Sequence, residues 1–182
     1  RPSEVAKCVA LINRTHKGQD LFRPYTADFL RGRLDDPSWG PRPEFWVPVY
    51  GWPDYWVLEE HGRVVACAGL WDRGRHIREL WHKPSTGERR ALASTALMDW
   101  GFAEGHEEAM ARLIAFFLGE TARLGRDHLL APIEHHPRLF ELLAQYDPAP
   151  DTRGMNWRVF DGKGGSLRDP RPSRIYTDLA YW

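Results

Sequence analysis

Residues 91–124 combine an apolar strand-like run, a glycine-bearing turn and an amphipathic helix, and they constrain the fold more than any other stretch. The run ALASTALMDWGF predicts a strand over residues 91–103, and EEAMARLIAFFL places apolar residues at helical spacing from about residue 106. Unpaired amide groups at the start of such a helix attract anions, so the turn is suited to a phosphate. Glu107 and Glu108 stand where the anion would bind. Two interpretations follow: a phosphate-binding loop, or a helix that its own carboxylates cap.

The remaining patterns predict alternating helices and strands. A first helix begins at the N-cap Ser3 and ends at Gly18, and Thr26 caps a second helix. The predicted strands cover residues 54–60, 63–71, 128–133, 155–162 and 174–182. His61-Gly62 predicts a tight hairpin, Pro137 opens a further helix, and residues 73–88 read as a polar loop with a helical turn. The fold class is therefore α/β, with a mixed, mostly antiparallel sheet flanked by helices.

Composition narrows the class of protein. The chain has 182 residues, 42% of them hydrophobic, which predicts a single domain over 1–182. The formal net charge is zero, which argues against nucleic acid and anionic membranes as partners, and the apolar runs are too short to span a bilayer. No secretory signal is visible, so we expect a cytoplasmic protein. Cys8 and Cys67 read as reduced core thiols, with a disulfide or a nucleophile as alternatives. The eight histidines show no metal-ligand spacing, so no metal is expected.

The order of these elements resembles the GNAT superfamily of N-acetyltransferases over nearly the whole chain, lacking only the first strand. The resemblance implies a GNAT-like sheet whose first strand is missing, and a chain cut from a longer protein, as in the second half of a tandem acetyltransferase. It also implies acetyl-CoA as cofactor and a primary amine of unknown identity as acceptor. A second domain or a homo-oligomer is the protein partner that it implies.

The loop pattern Arg/Gln-x-x-Gly-x-Gly/Ala of that superfamily lies without gaps on residues 104–109. Ala109 satisfies the last position, whereas Glu104 replaces Arg or Gln and Glu107 replaces the glycine that approaches the pyrophosphate. The resemblance assigns cofactor binding to residues around this loop: Gly101, Phe102, Gly105, His106 and Ala109. Because a carboxylate repels a bound pyrophosphate, the alternative is a degenerate, non-catalytic GNAT-like half that serves as a structural, partner-binding or ligand-sensing module.

Catalytic groups are less well marked. Where many members carry a tyrosine acid in a Leu-Tyr pair, this chain has Leu139-Phe140, and Phe140 has no proton to give. Tyr146 is the nearest replacement, and its alternative interpretation is an aromatic side chain that packs at a helix end. Glu60 and Asp72 lie at predicted strand ends where a general base can sit, and Glu59 is placed similarly; solvated turn carboxylates are the alternative.

Aromatic residues are concentrated between positions 39 and 56. Such a segment can form a hydrophobic or amine-binding pocket, an interface with a partner domain, or a satellite core. Trp46, Trp52 and Trp56 are the residues that we assign to an acceptor pocket. Arg73 and Arg75 are alternative phosphate ligands, or part of a solvated basic turn.

Overall fold

The computed structural model of the chain describes residues 2–19, 22–36, 50–75, 79–83, 86–133 and 136–146. Within these residues the helices are α1 (Val5–Thr15), α2 (Ala27–Asp35), α3 (Glu107–Arg123) and α4 (Pro137–Leu143). The strands are β1 (Tyr55–Glu60), β2 (Arg63–Trp71), β3 (Glu79–Lys83), β4 (Glu88–Leu92), β5 (Ser94–Phe102) and β6 (His128–Leu130). The predicted α/β class, with a mostly antiparallel sheet flanked by helices, is confirmed for this part of the chain.

The main sheet has the strand order β1-β2-β5-β6. β1, β2 and β5 are antiparallel neighbours, whereas β6 runs parallel to β5 over three residues, Ser94–Ala96 against His128–Leu130. His61 and Gly62 join β1 to β2 with φ of 49° and 74°, the left-handed pair that a tight hairpin turn requires. The predicted hairpin is therefore confirmed.

The sheet separates two clusters of buried apolar side chains. On one face, α1 and α2 pack against side chains that include Cys67 and Met98. On the other face, α3 and α4 cover alternate residues of the same strands, such as Ala66 and Leu97. The alternation of side chains along a strand accounts for this division, since neighbouring residues point to opposite faces.

Local sequence signals explain where two of the described α-helices, α2 and α4, begin. Thr26 accepts a hydrogen bond from the Phe29 amide at 3.1 Å, as an N-cap does, so that prediction is confirmed. Ser3 does not cap α1, because Pro2–Glu4 forms a 3₁₀ turn and Glu4 becomes the N-cap, without a side-chain cap. Pro137 is the first residue of α4, as predicted.

Residues 73–88 differ from the prediction of a loop with a helical turn. The turn is present as a 3₁₀ helix over Arg73–Arg75, but β3 and β4 follow and form a separate antiparallel ribbon. The predicted strand over residues 91–103 is likewise divided, because β4 ends at Leu92 and β5 begins at Ser94. The strands predicted over residues 155–162 and 174–182 lie outside the described residues.

Candidate functional site

A β-bulge interrupts β5 near its carboxyl end. Met98 pairs with Gly69 and Gly101 pairs with Cys67, so that Asp99 and Trp100 lie opposite the single residue Ala68. Asp99 has a φ of 44°, a left-handed conformation that is uncommon outside glycine. The extra residue puts Met98 and Asp99 on the same face of the sheet, toward α1 and α2.

The Asp99 carboxylate is fully buried and has a donor on each oxygen. Oδ1 accepts hydrogen bonds from Arg33 Nη1 at 2.5 Å and from the Tyr25 hydroxyl at 2.7 Å, and Oδ2 accepts one from the Tyr50 hydroxyl. The Tyr55 hydroxyl donates to the Asp99 carbonyl at 2.9 Å. A buried carboxylate is stable only when such partners compensate for lost hydration. The cluster therefore joins α2 and the chain around Tyr25 and Tyr50 to the bulge.

Beyond Ala96, β5 has no β6 partner among the described residues. The Ala103 amide donates to the Val65 carbonyl of β2 at 2.8 Å. Backbone groups alternate in direction along a strand, so those of Trp100 and Phe102 point to the opposite edge of β5, where β5 and β6 separate. Side chains at the end of α1 hydrogen-bond these backbone groups. Thr15 Oγ1 accepts from the Phe102 amide at 2.9 Å and donates to its carbonyl at 3.1 Å, while His16 Nε2 donates to the Trp100 carbonyl at 2.9 Å.

The turn between β5 and α3 leaves amide groups open. Gly105 has a φ of 74° and His106 is the N-cap of α3, without a side-chain cap. In the part of the chain that the structure describes, the amides of Gly105, Glu107 and Glu108 have no acceptor, and no carboxylate of this turn accepts from them. Glu107 and Glu108 lie in the first turn of α3, so their carboxylates stabilise this end through attraction to the helix dipole and not through hydrogen bonds to its amides.

A cleft of about 440 Å³ opens beside these amides, lined by Glu60, Gly105, His106, Glu108, Ala109 and Arg112. Arg112, in the second turn of α3, forms an ion pair with Glu60, and His106 Nε2 lies 3.8 Å from the other Glu60 oxygen. The Arg112 side chain is 61% exposed, so its remaining donors face solvent at the cleft. Open amides and an arginine are the donors that an anionic group needs.

The structure divides the five predicted cofactor residues. Gly105, His106 and Ala109 line the cleft, with Ala109 also buried in the core against the sheet. Gly101 lies under α1, where a side chain would meet the Ile12 backbone, and Phe102 is buried on the α3 side. Gly101 and Phe102 are thus placed in packing contacts and not in the cleft.

The three catalytic candidates lie apart. Glu60 is at the cleft, in its ion pair with Arg112. Asp72 forms a two-pronged pair with Arg126, at 2.7 and 2.8 Å, near the start of the β3–β4 ribbon. Tyr146 is 47% exposed and lines a smaller cavity of about 200 Å³ between α3 and α4, whose wall includes Arg112.

The predicted acceptor tryptophans do not share one pocket. Trp52 packs against the cluster on the α1 face, and its indole donates to Asp35 at 2.7 Å. Trp56 packs on the other face, with its ring 5.3 Å from that of Phe117 and 5.7 Å from that of Phe116. The sheet lies between them. Trp46 falls outside the described residues.

The Asp99 cluster and the covering of the β5 edge were not predicted. The signal for the first was present, because Asp99 is a charged residue inside the apolar run ALASTALMDWGF. A charge at such a position requires buried partners. The identity of those partners depends on the bulge register, which the sequence pattern does not contain.

No protein-family model matches the chain, and no curated protein matches it significantly. No helix in the described ranges is long and apolar enough to cross a membrane. A search of the same residues for three or more clustered His, Cys, Asp or Glu that can hold a metal ion finds none.

Proposed function

We propose that this chain is a GNAT-like domain that transfers an acetyl group from acetyl-CoA to a primary amine. The observation that carries the proposal is the carboxyl end of β5. There a bulged central strand separates from its parallel neighbour and leads directly into a helix whose first amides are open.

The residues fit the phosphate end of the cofactor in part. The open amides, Arg112 and the small Ala109 supply donors and room at the cleft. Glu108 opposes them, because its carboxylate lines the same cleft. One like charge about 6 Å from a phosphate costs on the order of 1–3 kcal/mol near a surface, which corresponds to roughly 5- to 150-fold in affinity.

A second function has its own supporting observation. Thr15 and His16 already bond to the β5 edge beyond the point where β6 ends, so an elongated ligand that seeks those backbone groups must displace them. This favours a degenerate, non-catalytic GNAT-like module that binds a partner domain or a small molecule elsewhere.

Calorimetric titration of acetyl-CoA into the full chain separates the two functions. The first predicts binding that weakens at least tenfold in Arg112→Met and strengthens about tenfold in Glu108→Gln. Arg123→Met is the matched control, because Arg123 is 66% exposed in a glutamate ion pair at the far end of the same helix. Absence of binding at millimolar acetyl-CoA in all these variants contradicts the acetyltransferase proposal.

Thr15→Val tests the module interpretation, because it keeps the side-chain shape and removes the hydroxyl that hydrogen-bonds the Phe102 amide and carbonyl. If the α1 side chains block the edge, acetyl-CoA binding appears or strengthens in this variant. Binding followed by release of the CoA thiol with a panel of primary amines supports the acetyltransferase proposal. Binding without turnover for any amine supports the non-catalytic module.

A further inference from the structure

The backbone of α1 lies against the sheet at Gly101. A Cβ atom at Gly101 would lie 2.5 Å from Ile12 N and 2.7 Å from Ile12 Cα, which is closer than side chains tolerate. Glycine is the residue that permits such an approach of one backbone to another. At this point α1 and β5 are therefore in direct contact, without an intervening layer of side chains.

The two cysteines of the chain meet beside this contact. Cys8 lies one helical turn before Ile12 and therefore on the same face of α1. Cys67 on β2 is the register partner of Gly101. The Cys67 thiol donates a hydrogen bond to the Cys8 carbonyl oxygen at 3.8 Å, and the two side chains are close enough to shift each other's pKa. Both residues are buried, with 2% and 0% of their surfaces exposed.

A disulfide requires Cα atoms about 4.4–6.8 Å apart and Cβ atoms about 4 Å apart. A helix residue and a strand residue reach that separation only where the helix lies close to the sheet, as α1 does at Gly101. We propose that Cys8 and Cys67 are a redox-active pair, which a hydroperoxide converts into a disulfide joining α1 to β2.

The environments of the two thiols assign their roles. The neighbouring Cys67 side chain lowers the pKa of Cys8, whereas burial raises the pKa of Cys67 well above its ordinary value. Cys8 is therefore the thiolate that reacts first, since the thiolate is the nucleophile. Cys67 is the resolving thiol.

The reaction balances with one peroxide per pair. The Cys8 thiolate attacks one peroxide oxygen, so that an S–O bond forms, the O–O bond breaks, and hydroxide leaves and takes up a proton as water. Cys67 then attacks the Cys8 sulfur. The S–S bond forms, the S–O bond breaks, and the sulfenic hydroxyl leaves with the Cys67 proton as a second water. Two thiols are oxidised by two electrons, and the peroxide is reduced.

The position of Cys8 in the fold gives the oxidant a route. Cys8 belongs to the first turns of α1, and the N-cap Glu4 pairs with the Lys7 side chain and accepts no hydrogen bond from the backbone amides at that end. Helix ends without caps open more readily than capped ones. Opening of this turn exposes Cys8 to a molecule as small as hydrogen peroxide while the strand that carries Cys67 stays in place.

Treatment of the full chain with hydrogen peroxide, followed by intact mass measurement and peptide mapping without reduction, tests the proposal. We expect a loss of two hydrogens, a Cys8–Cys67 peptide, and a rise in Tm of roughly 5–10 °C that a thiol reductant reverses, because the bond closes a long loop. Cys67→Ala should show no rise and should take up oxygen at Cys8 instead. The proposal would be overturned if both thiols of the treated wild type still react with an alkylating reagent after unfolding. Addition of oxygen without a cross-link would also overturn it.

Discussion

Replacement of Arg33 by methionine is the sharpest stability test of the Asp99 cluster. Methionine keeps the unbranched aliphatic stem of Arg33 and removes the guanidinium that bonds to Asp99 at 2.5 Å. The side chains of the pair are 7% and 0% exposed, so the remaining carboxylate stays in a water-poor site where, among the described residues, the Tyr25 and Tyr50 hydroxyls are its side-chain donors. Removal of one partner from a buried pair typically costs about 3–5 kcal/mol.

Arg31→Met is the matched control for this substitution. Arg31 is on the same helix and forms an ion pair with Asp28 at 3.1 Å, but the two side chains are 45% and 94% exposed. Exposed pairs of this kind contribute about 0.2–1 kcal/mol, because water and salt screen them. The two variants therefore lose the same chemical group in two environments, and the expected difference in the free energy of unfolding is about 2–4 kcal/mol.

Equilibrium unfolding in urea, monitored by tryptophan fluorescence and by circular dichroism, measures both variants. The double variant Arg33→Met/Asp99→Asn should recover part of the loss, because it removes the uncompensated charge while asparagine still tolerates the left-handed backbone. Equal losses in Arg33→Met and Arg31→Met, within about 0.5 kcal/mol, would refute the assignment of a buried, mutually dependent pair.

Three further outcomes follow from the fold. Gly101→Ala should lower the free energy of unfolding in urea by at least about 1–3 kcal/mol, because its Cβ meets the Ile12 backbone. Gly32→Ala in α2, where a Cβ meets no neighbouring atom, should instead raise it by about 0.5–1 kcal/mol. An unchanged free energy of unfolding in Gly101→Ala would contradict the close approach of α1. Thr26→Ala should lower the free energy of unfolding by about 0.5–2 kcal/mol, because it removes the N-cap of α2. Ser3→Ala removes no cap and should lower it by less than about 0.5 kcal/mol. Equal effects of the two substitutions would argue against the Thr26 cap. The hydrogen bond from the Ala93 amide, with Arg90 nearby, lowers the pKa of Asp127 below the ordinary value of an aspartate. A carboxyl group whose pKa is lower in the folded state stabilises the fold at pH values above its unfolded pKa, and this stabilisation is lost as the pH falls through the folded pKa. The Tm difference between wild type and Asp127→Asn should therefore narrow from pH 5 to pH 2. A constant difference would contradict this reasoning.

The sequence pattern predicted the elements whose signals are local. Thr26 and Pro137 marked helix starts, and His61-Gly62 marked the hairpin, because capping and turn formation depend on only a few neighbouring residues. The ribbon of β3 and β4 had no such signal. The side chains of residues 88–91 are exposed on both faces of β4, so no alternation of apolar and polar residues marked it as a strand.

The candidate site was predictable only in part, because the sequence pattern marks local turns but not which elements pack together. The turn before α3 is local, and Gly105, His106 and Ala109 do meet at one cleft. Whether Trp52 and Trp56 share a pocket depends on which face of the sheet each one joins, and the structure places them on opposite faces. The Asp99 contacts depend on a bulge, which adds one residue to a strand and thereby changes the face of every residue beyond it.

The left-handed backbone and the buried charge of Asp99 together limit what evolution can place at this position. Glycine and asparagine keep the backbone conformation but lose the negative charge, and glutamate keeps the charge but tolerates the conformation poorly. No single substitution meets both demands. Among related chains that retain arginine at position 33, position 99 should therefore stay aspartate, and a loss of one should accompany a loss of the other, so that the two sites covary as a unit.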